Sequence, residues 1–273
     1  MFSSKVKLYY SHLSAKEVSI AEFILANQKS IDEFTSQSLA KSLNVSQSTI
    51  IRFSQKMGYR SFKHMLKEAK EINENDVSEI QLSDSTIETC EKIKDNYIEL
   101  LHMTFDFIDA EEIERAVNYI YEASTVLCYG FLGTGSFAGY TATLLTELGI
   151  NSLSSISHKE IMKRMMFCEA GDVVILFSKS GESHEVIDVA KAAISHGMKV
   201  IVVSQHMKSK LSSYADVHLK TAGSNLKTRL KANVEHCGQL FIIDAVILNL
   251  YKKDYKKFTS NATRYRKQMR YDY

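Results

Sequence analysis

The sequence has no proline and no tryptophan among its 273 residues. Without proline it holds no PxxP segment and no cis-proline turn. Cysteine is sparse: Cys90, Cys128, Cys168 and Cys237 form no CxxC or Cys/His spacing. That pattern excludes a zinc-finger signature and a disulfide framework, and points to free thiols in a reducing compartment. No apolar run approaches the roughly 20 residues that cross a bilayer. The N-terminus also lacks the apolar stretch and cleavage site of a signal peptide. A cytoplasmic protein without a membrane partner is therefore expected. A 45% hydrophobic and 24% charged composition excludes disorder, and the length suits two domains better than one.

Glycine is unevenly missing. Only Gly58 occurs in the first 129 residues, and the other ten lie from Gly130 onward. Scarce glycine with helical periodicity marks an all-α front part, whereas glycines after apolar runs mark the strand-to-helix turns of an α/β part. Charge divides the chain in the same way. Residues 1–75 carry 11 Lys/Arg against 7 Asp/Glu, and residues 76–110 carry 2 against 9. Residues 111–254 balance at 15 each, and the tail 255–273 carries 6 against 1. The expected organisation is a basic domain over 1–75, an acidic helical linker over 76–105, an α/β domain over 106–254 and a basic aromatic tail over 255–273, expected to be a solvated helical extension, with contact to DNA the alternative.

In the basic head, apolar residues at Val18, Ala21, Ile24 and Leu25 predict an amphipathic helix from Leu13 to Ala26. Further helices are predicted over Ser36–Leu43 and from Gln47 to Met57. Between these two, Asn44 suits the left-handed corner and Ser46 the N-cap. With Ala40 at the crossing point, the spacing to Asn44, Val45, Ile50 and Phe53 matches a helix-turn-helix. Val45, Ile50 and Phe53 then pack inward, while Ser46, Gln47, Ser48, Thr49, Arg52 and Lys56 lie on or near the outward face of the third helix. A major groove admits one helix, where short polar groups reach phosphates and arginine chelates guanine O6 and N7. Arg60, Lys63 and Lys67 follow as candidate backbone contacts. A three-helix bundle with a merely solvated polar face has the same spacing.

The run from Leu39 to Tyr59, through Ser46, Thr49, Arg52, Phe53 and Gly58, resembles the N-terminal domain of RpiR-type transcriptional regulators. That resemblance implies binding to a double-stranded DNA operator.

The second part alternates strand and helix. Thr125–Tyr129 is an apolar strand that leads through Gly130, Gly133, Thr134, Gly135 and Ser136 into a helix. Val173–Phe177 is a fully apolar run of the kind buried in parallel sheets. It passes through Ser178, Lys179, Ser180, Gly181, Glu182 and Ser183 into another helix. A strand over Lys199–Ser204, a short one near Val217–Leu219 and a long helix over Lys231–Tyr251 complete a three-layer α/β/α architecture with a parallel sheet. Ligands of such sheets bind beyond the strands' carboxyl ends. Two Ser/Gly loops that each open a helix there suit an anion, because backbone amides and the helix dipole attract it. Serine and glycine also simply make good turns. The glycines do not continue as a dinucleotide fingerprint, since Ala138 stands at the third position, and no Lys-Ser/Thr pair completes a phosphate-binding P-loop.

Asp172–Ile175, the run Ser178–Ser183, Ala190-Lys191 and Ala215-Asp216 resemble the SIS (sugar isomerase) domain. The resemblance implies that Ser178, Ser180 and Ser183 bind a sugar phosphate. In the first loop Leu132 falls where a glycine is usual and Thr134 where a serine is usual, with Ser136 the alternative ligand and Gly133 between them. Helix-turn-helix followed by SIS is the RpiR/MurR architecture: α + α/β, a regulator of sugar metabolism that senses a phosphorylated sugar, needs no cofactor or metal, and works as a homodimer or homotetramer. The competing reading is an aldose-ketose isomerase, for which His158, Glu182, His184 and Glu235 are the candidate bases. Glu235 is expected to face solvent.

Overall fold

The computed structural model describes the chain except residues 1, 10–12, 28–29, 71–79, 81–82, 206–207, 224–230 and 270–273. Part of the expected acidic linker and the end of the tail thus lie outside the described residues. The chain divides into two compact units, Met1–Asn96 with Gly223–Lys231 and Tyr97–Ala222 with Ala232–Tyr273.

The first unit is helical: α1 (Phe2–Tyr9), α2 (Ala15–Ala26), α3 (Ser36–Ser42), α4 (Gln47–Lys56) and α5 (Phe62–Lys70). Ser14 opens α2 with a capping box, its hydroxyl taking the Glu17 amide while Glu17 takes the Ser14 amide. Thr35 caps α3 in the same way with Ser38. Ile20, Ile24, Leu39, Ile50, Phe53 and Met65 are wholly buried between the helices. Helix α1 was not anticipated. It is held by tertiary contacts, with Phe2 and Val6 buried and the Lys5 ammonium 4.2 Å from the Tyr59 ring centre.

Helix α6 (Thr86–Asp106) spans the division between the units. The second unit continues with α7 (Ala110–Glu122), β1 (Val126–Gly130), α8 (Gly135–Glu147), β2 (Ser152–Ser155) and α9 (His158–Met165). Then come β3 (Val173–Phe177), α10 (His184–Ser195), β4 (Lys199–Ser204), β5 (Val217–Lys220), α11 (Lys231–Lys253) and α12 (Tyr255–Met269). The five strands are all parallel, in the order β2-β1-β3-β4-β5.

Side chains alternate across this sheet, which is why the central strands read as unbroken apolar runs. Val126, Cys128, Val173, Ile175, Phe177, Ile201 and Val203 pack against α7, α8 and α11 on one face. Leu127, Tyr129, Val174, Leu176, Val200 and Val202 pack against α9 and α10 on the other. Each such side chain contributes about 1.5–3 kcal/mol on full burial. All four cysteines are free, and burial pushes the Cys128 thiol above its ordinary range.

Two expectations about this unit are corrected. The tail is not a wholly solvated extension: in α12 Phe258 is fully buried and meets Tyr121 edge to face, and Asn261 donates to the Leu148 carbonyl at 2.8 Å. Nor does Glu235 face solvent, since its side chain is 2% exposed. Among the described residues no helix is long and apolar enough to cross a membrane.

Candidate DNA interface and candidate anion cradle

In the first unit, the corner between α3 and α4 has the form its residues dictate. Asn44 sits at φ 51°, and the Val45 amide donates back to the Ala40 carbonyl at 3.0 Å, closing the helix end. Ala40 is 5% exposed where the helices cross. Ser46 caps α4 through the Thr49 amide at 3.2 Å, and its hydroxyl also meets those of Ser48 and Thr49 at 2.8 and 2.7 Å. Gln47 donates to the Ser36 hydroxyl at 2.9 Å, which ties the two helices together. Gly58, at φ 78°, ends α4 with the Tyr59 amide returning to the Ser54 carbonyl.

Ile50 and Phe53 point inward and Val45 is half-buried. Gln47, Ser48, Arg52, Lys56 and Arg60 are exposed and Thr49 is half-buried. Their circumstances differ. Lys56 is drawn onto the Glu17 carboxylate of α2 at 2.7 Å, so it serves the head's own packing. The Arg52 and Arg60 side chains have no partner among the described residues. At the α5 N-terminus, next in sequence to Arg60, a cleft of about 750 Å³ is lined by the apolar Phe34, Phe62 and Leu66 together with Lys63, Lys67 and Lys70.

In the second unit, the sheet's carboxyl edge carries both predicted loops. In the first, Gly130 is required by close packing, since a Cβ there would lie 2.5 Å from the Thr134 carbonyl oxygen. The Thr134 hydroxyl is directed at the carbonyls of Phe131 and Phe177 at 2.9 and 3.1 Å, so it pins this loop to the end of β3. Ser136 is exposed, with its hydroxyl on the Gly133 carbonyl at 2.6 Å. Leu132 adopts φ 52° and is 78% exposed. A bulky residue there holds strain of the kind found at functional loops.

In the second loop, the buried Ser178 hydroxyl accepts the Gly181 amide at 3.0 Å, and Gly181 turns at φ 69°. Ser180 is exposed and accepts the Glu182 amide at 3.2 Å. Ser183 stands at the N-cap of α10 but makes no capping bond. Among the described residues no hydrogen bond engages its hydroxyl, and it stands at the positive end of a 12-residue helix, whose first-turn amides have no intrahelical acceptor.

Sequence reasoning missed the link across this edge. Lys179 of the second loop forms an ion pair with Glu235 of α11. The adjacent His236 meets Phe137 edge to face, with ring centres 4.9 Å apart. Burial, followed by the Lys179 ammonium, lowers the His236 pKa. Of the other candidate bases, Glu182 accepts the Lys210 amide at 2.9 Å, His158 packs beside Tyr129, and His184 is exposed. Among the described residues no group of His, Cys, Asp or Glu is arranged to hold a metal ion.

Residues 2–72 match the model for the helix-turn-helix domain of the rpiR family, and residues 119–247 match the SIS domain. The chain thus joins an rpiR-family helix-turn-helix domain to a SIS domain, the make-up of a transcriptional regulator. An uncharacterised HTH-type transcriptional regulator of Thermotoga maritima is 28% identical over 259 residues, covering 92% of this chain and 91% of that one. The Vibrio vulnificus NanR protein, solved in complex with ManNAc-6P, has a TM-score of 0.61 at 21% identity, covering 98% of this chain and 97% of that one. The phosphoheptose isomerase GmhA of Neisseria gonorrhoeae has a TM-score of 0.53 at 18% identity, over 62% of this chain and all of that one. At these identities the structural neighbours define the fold. RpiR-type architecture thus accounts for both units.

Proposed function

We propose that this regulator senses a phosphorylated sugar at the sheet edge of its SIS domain and thereby alters its grip on a DNA operator, acting in the cytoplasm as a homo-oligomer and not as an enzyme. The observation that carries the effector half is Ser183, an N-cap residue whose hydroxyl and following amides are left for an outside acceptor. Ser180 presents a second exposed hydroxyl, and Ser136 one from the first loop. Ser178 shapes the turn by holding Gly181, and Thr134 fixes the first loop to β3. The cradle therefore consists of Ser136, Ser180, Ser183 and the α10 amides, with Gly133, Thr134 and Ser178 as its frame. The neighbour solved with ManNAc-6P is consistent with a ligand of this chemical class.

The DNA half rests on Arg52, whose guanidinium is exposed and unpaired on α4. Ser46, Gln47, Ser48, Thr49 and Arg60 surround it as candidate contacts, while Lys56 is held by Glu17. A fold shared with an isomerase keeps a second reading in view, and the buried Glu235 beside the cradle is the observation in its favour.

One titration separates the readings. A panel of sugar phosphates and their unphosphorylated parents is screened by thermal shift. A ligand at 100 times its Kd adds about 2.7 kcal/mol, or about 5–10 °C for a chain of this size. Only phosphorylated members are expected to stabilise the protein. Ser180→Ala/Ser183→Ala is expected to weaken the best ligand by about 1–3 kcal/mol per site, since each loses a hydrogen bond to a charged group. Equal binding of the parent sugar, or an unchanged affinity of the double variant, rejects the cradle. Interconversion of aldose and ketose phosphates in the same samples establishes the isomerase instead.

A further inference from the structure

Helix α12 carries five cations, Lys256, Lys257, Arg264, Arg266 and Lys267, and no carboxylate. It is not a loose appendage. Phe258 is buried against Tyr121, Asn261 is bonded to the Leu148 carbonyl and fills the space over Gly149, and the Tyr251 hydroxyl meets that of Thr259 at 2.6 Å. One cation is used in this docking: the Lys257 ammonium lies 4.6 Å from the Tyr121 ring centre.

The opposite flank is different. Lys256, Ser260, Thr263, Arg264 and Lys267 recur at spacings of four, three, one and three along one face, and all are exposed. Lys256, Arg264 and Lys267 have no ion-pair or hydrogen-bond partner for their side chains among the described residues. With Tyr255, Thr259 and Gln268 they make up an open surface formed by α12 alone. At 1.5 Å per residue the stripe is about 16 Å long. A rigid helix face that holds three unpaired cations, interleaves them with hydroxyls and includes only Tyr255 as a large exposed apolar residue has the composition of a phosphate-backbone contact. It is a poor match for a protein partner, because protein interfaces are centred on apolar and aromatic residues and are depleted in lysine.

We infer that this flank of α12 is a second, sequence-independent DNA contact, in which Lys256, Arg264 and Lys267 neutralise backbone phosphates away from the helix-turn-helix. Its partner is duplex DNA. The inference rests on the chain's being a DNA-binding protein but not on α4 being the reading helix.

The full-length protein and Lys256→Gln/Arg264→Gln/Lys267→Gln are titrated onto a 40-base-pair duplex of mixed sequence between 50 and 200 mM salt, with light scattering on both. Each released counterion contributes about 0.9 to the slope of log K against log salt. Losing three contacts should make the slope about 2.7 shallower per bound chain. Across that fourfold salt range the wild type then loses about 40-fold more affinity than the variant. Lys256→Arg/Arg264→Lys/Lys267→Arg should keep the wild-type slope, because the charges remain. Equal slopes for wild type and the glutamine variant overturn the inference while leaving DNA binding intact. A charge-preserving variant with a changed slope also overturns it. If the glutamine variant changes oligomeric mass, the face belongs to a second copy of the chain and the inference is wrong. No duplex binding by the wild type removes it together with the DNA-binding reading.

Discussion

Arg52→Ala is expected to abolish recognition of the operator while leaving the head folded. The exposed guanidinium on α4 has no partner among the described residues, so its removal uncovers no buried group there. The neighbouring Phe53 and Ile50, which hold the head together, are untouched. A bidentate arginine contact to guanine carries about 1–3 kcal/mol of discrimination, or about 5- to 150-fold in affinity. The measurement is competition between an operator selected from a random pool and a scrambled duplex, followed by footprinting. The variant should lose the preference for the operator and retain the non-specific affinity. The wild-type footprint should cover two half-sites related by a pseudo-palindrome, as a symmetric dimer requires. If Arg52→Ala weakens every sequence equally, Arg52 contacts phosphate and α4 is not read through it.

Gly181→Val is expected to cost the second unit more than any serine substitution in the cradle. The position has φ 69°, a conformation that costs an L residue about 1–2 kcal/mol. A Cβ there would lie 2.1 Å from the Ser209 hydroxyl and 2.5 Å from the Ser209 Cβ, so the facing segment must also move. Strain and repacking together amount to about 2–4 kcal/mol, which corresponds to a Tm lower by roughly 5–15 °C. Because the Ser178–Gly181 bond sets the loop, the thermal shift from a sugar phosphate should vanish as well. A Gly181→Val protein with wild-type Tm and ligand response shows that the turn does not set the site.

The residues that made the fold legible are those whose effect is local. Asn44 fits a left-handed corner and Ser46 an N-cap, and both are found so. The apolar runs at 126–129, 173–177 and 200–203 encode strands covered on both faces, because both faces are buried. Where tertiary contact decides, the sequence is silent. Eight residues are too few for α1 to persist alone, and it packs on Tyr59, from the distant connection between α4 and α5. The Lys179–Glu235 and Lys56–Glu17 pairs join residues 56 and 39 positions apart, and no spacing rule announces them. Thr134 and Ser136 were equivalent as hydroxyls in a glycine-rich loop. Only the position of the Phe177 carbonyl separates them, by engaging Thr134.

On the proposed function, a sugar phosphate on the SIS domain is expected to change the affinity of the helix-turn-helix for its operator. Linkage requires the effector to bind the DNA-competent and incompetent states unequally, with a coupling of about 1–3 kcal/mol in typical cases. The decisive measurement is the operator Kd by fluorescence anisotropy, with and without a saturating concentration of the best sugar phosphate from the thermal-shift panel. The Kd is expected to change by about 5- to 150-fold, in one direction, with no change from the unphosphorylated sugar and none in Ser180→Ala/Ser183→Ala at the same concentration. An operator Kd that stays the same while that sugar phosphate is demonstrably bound contradicts the account.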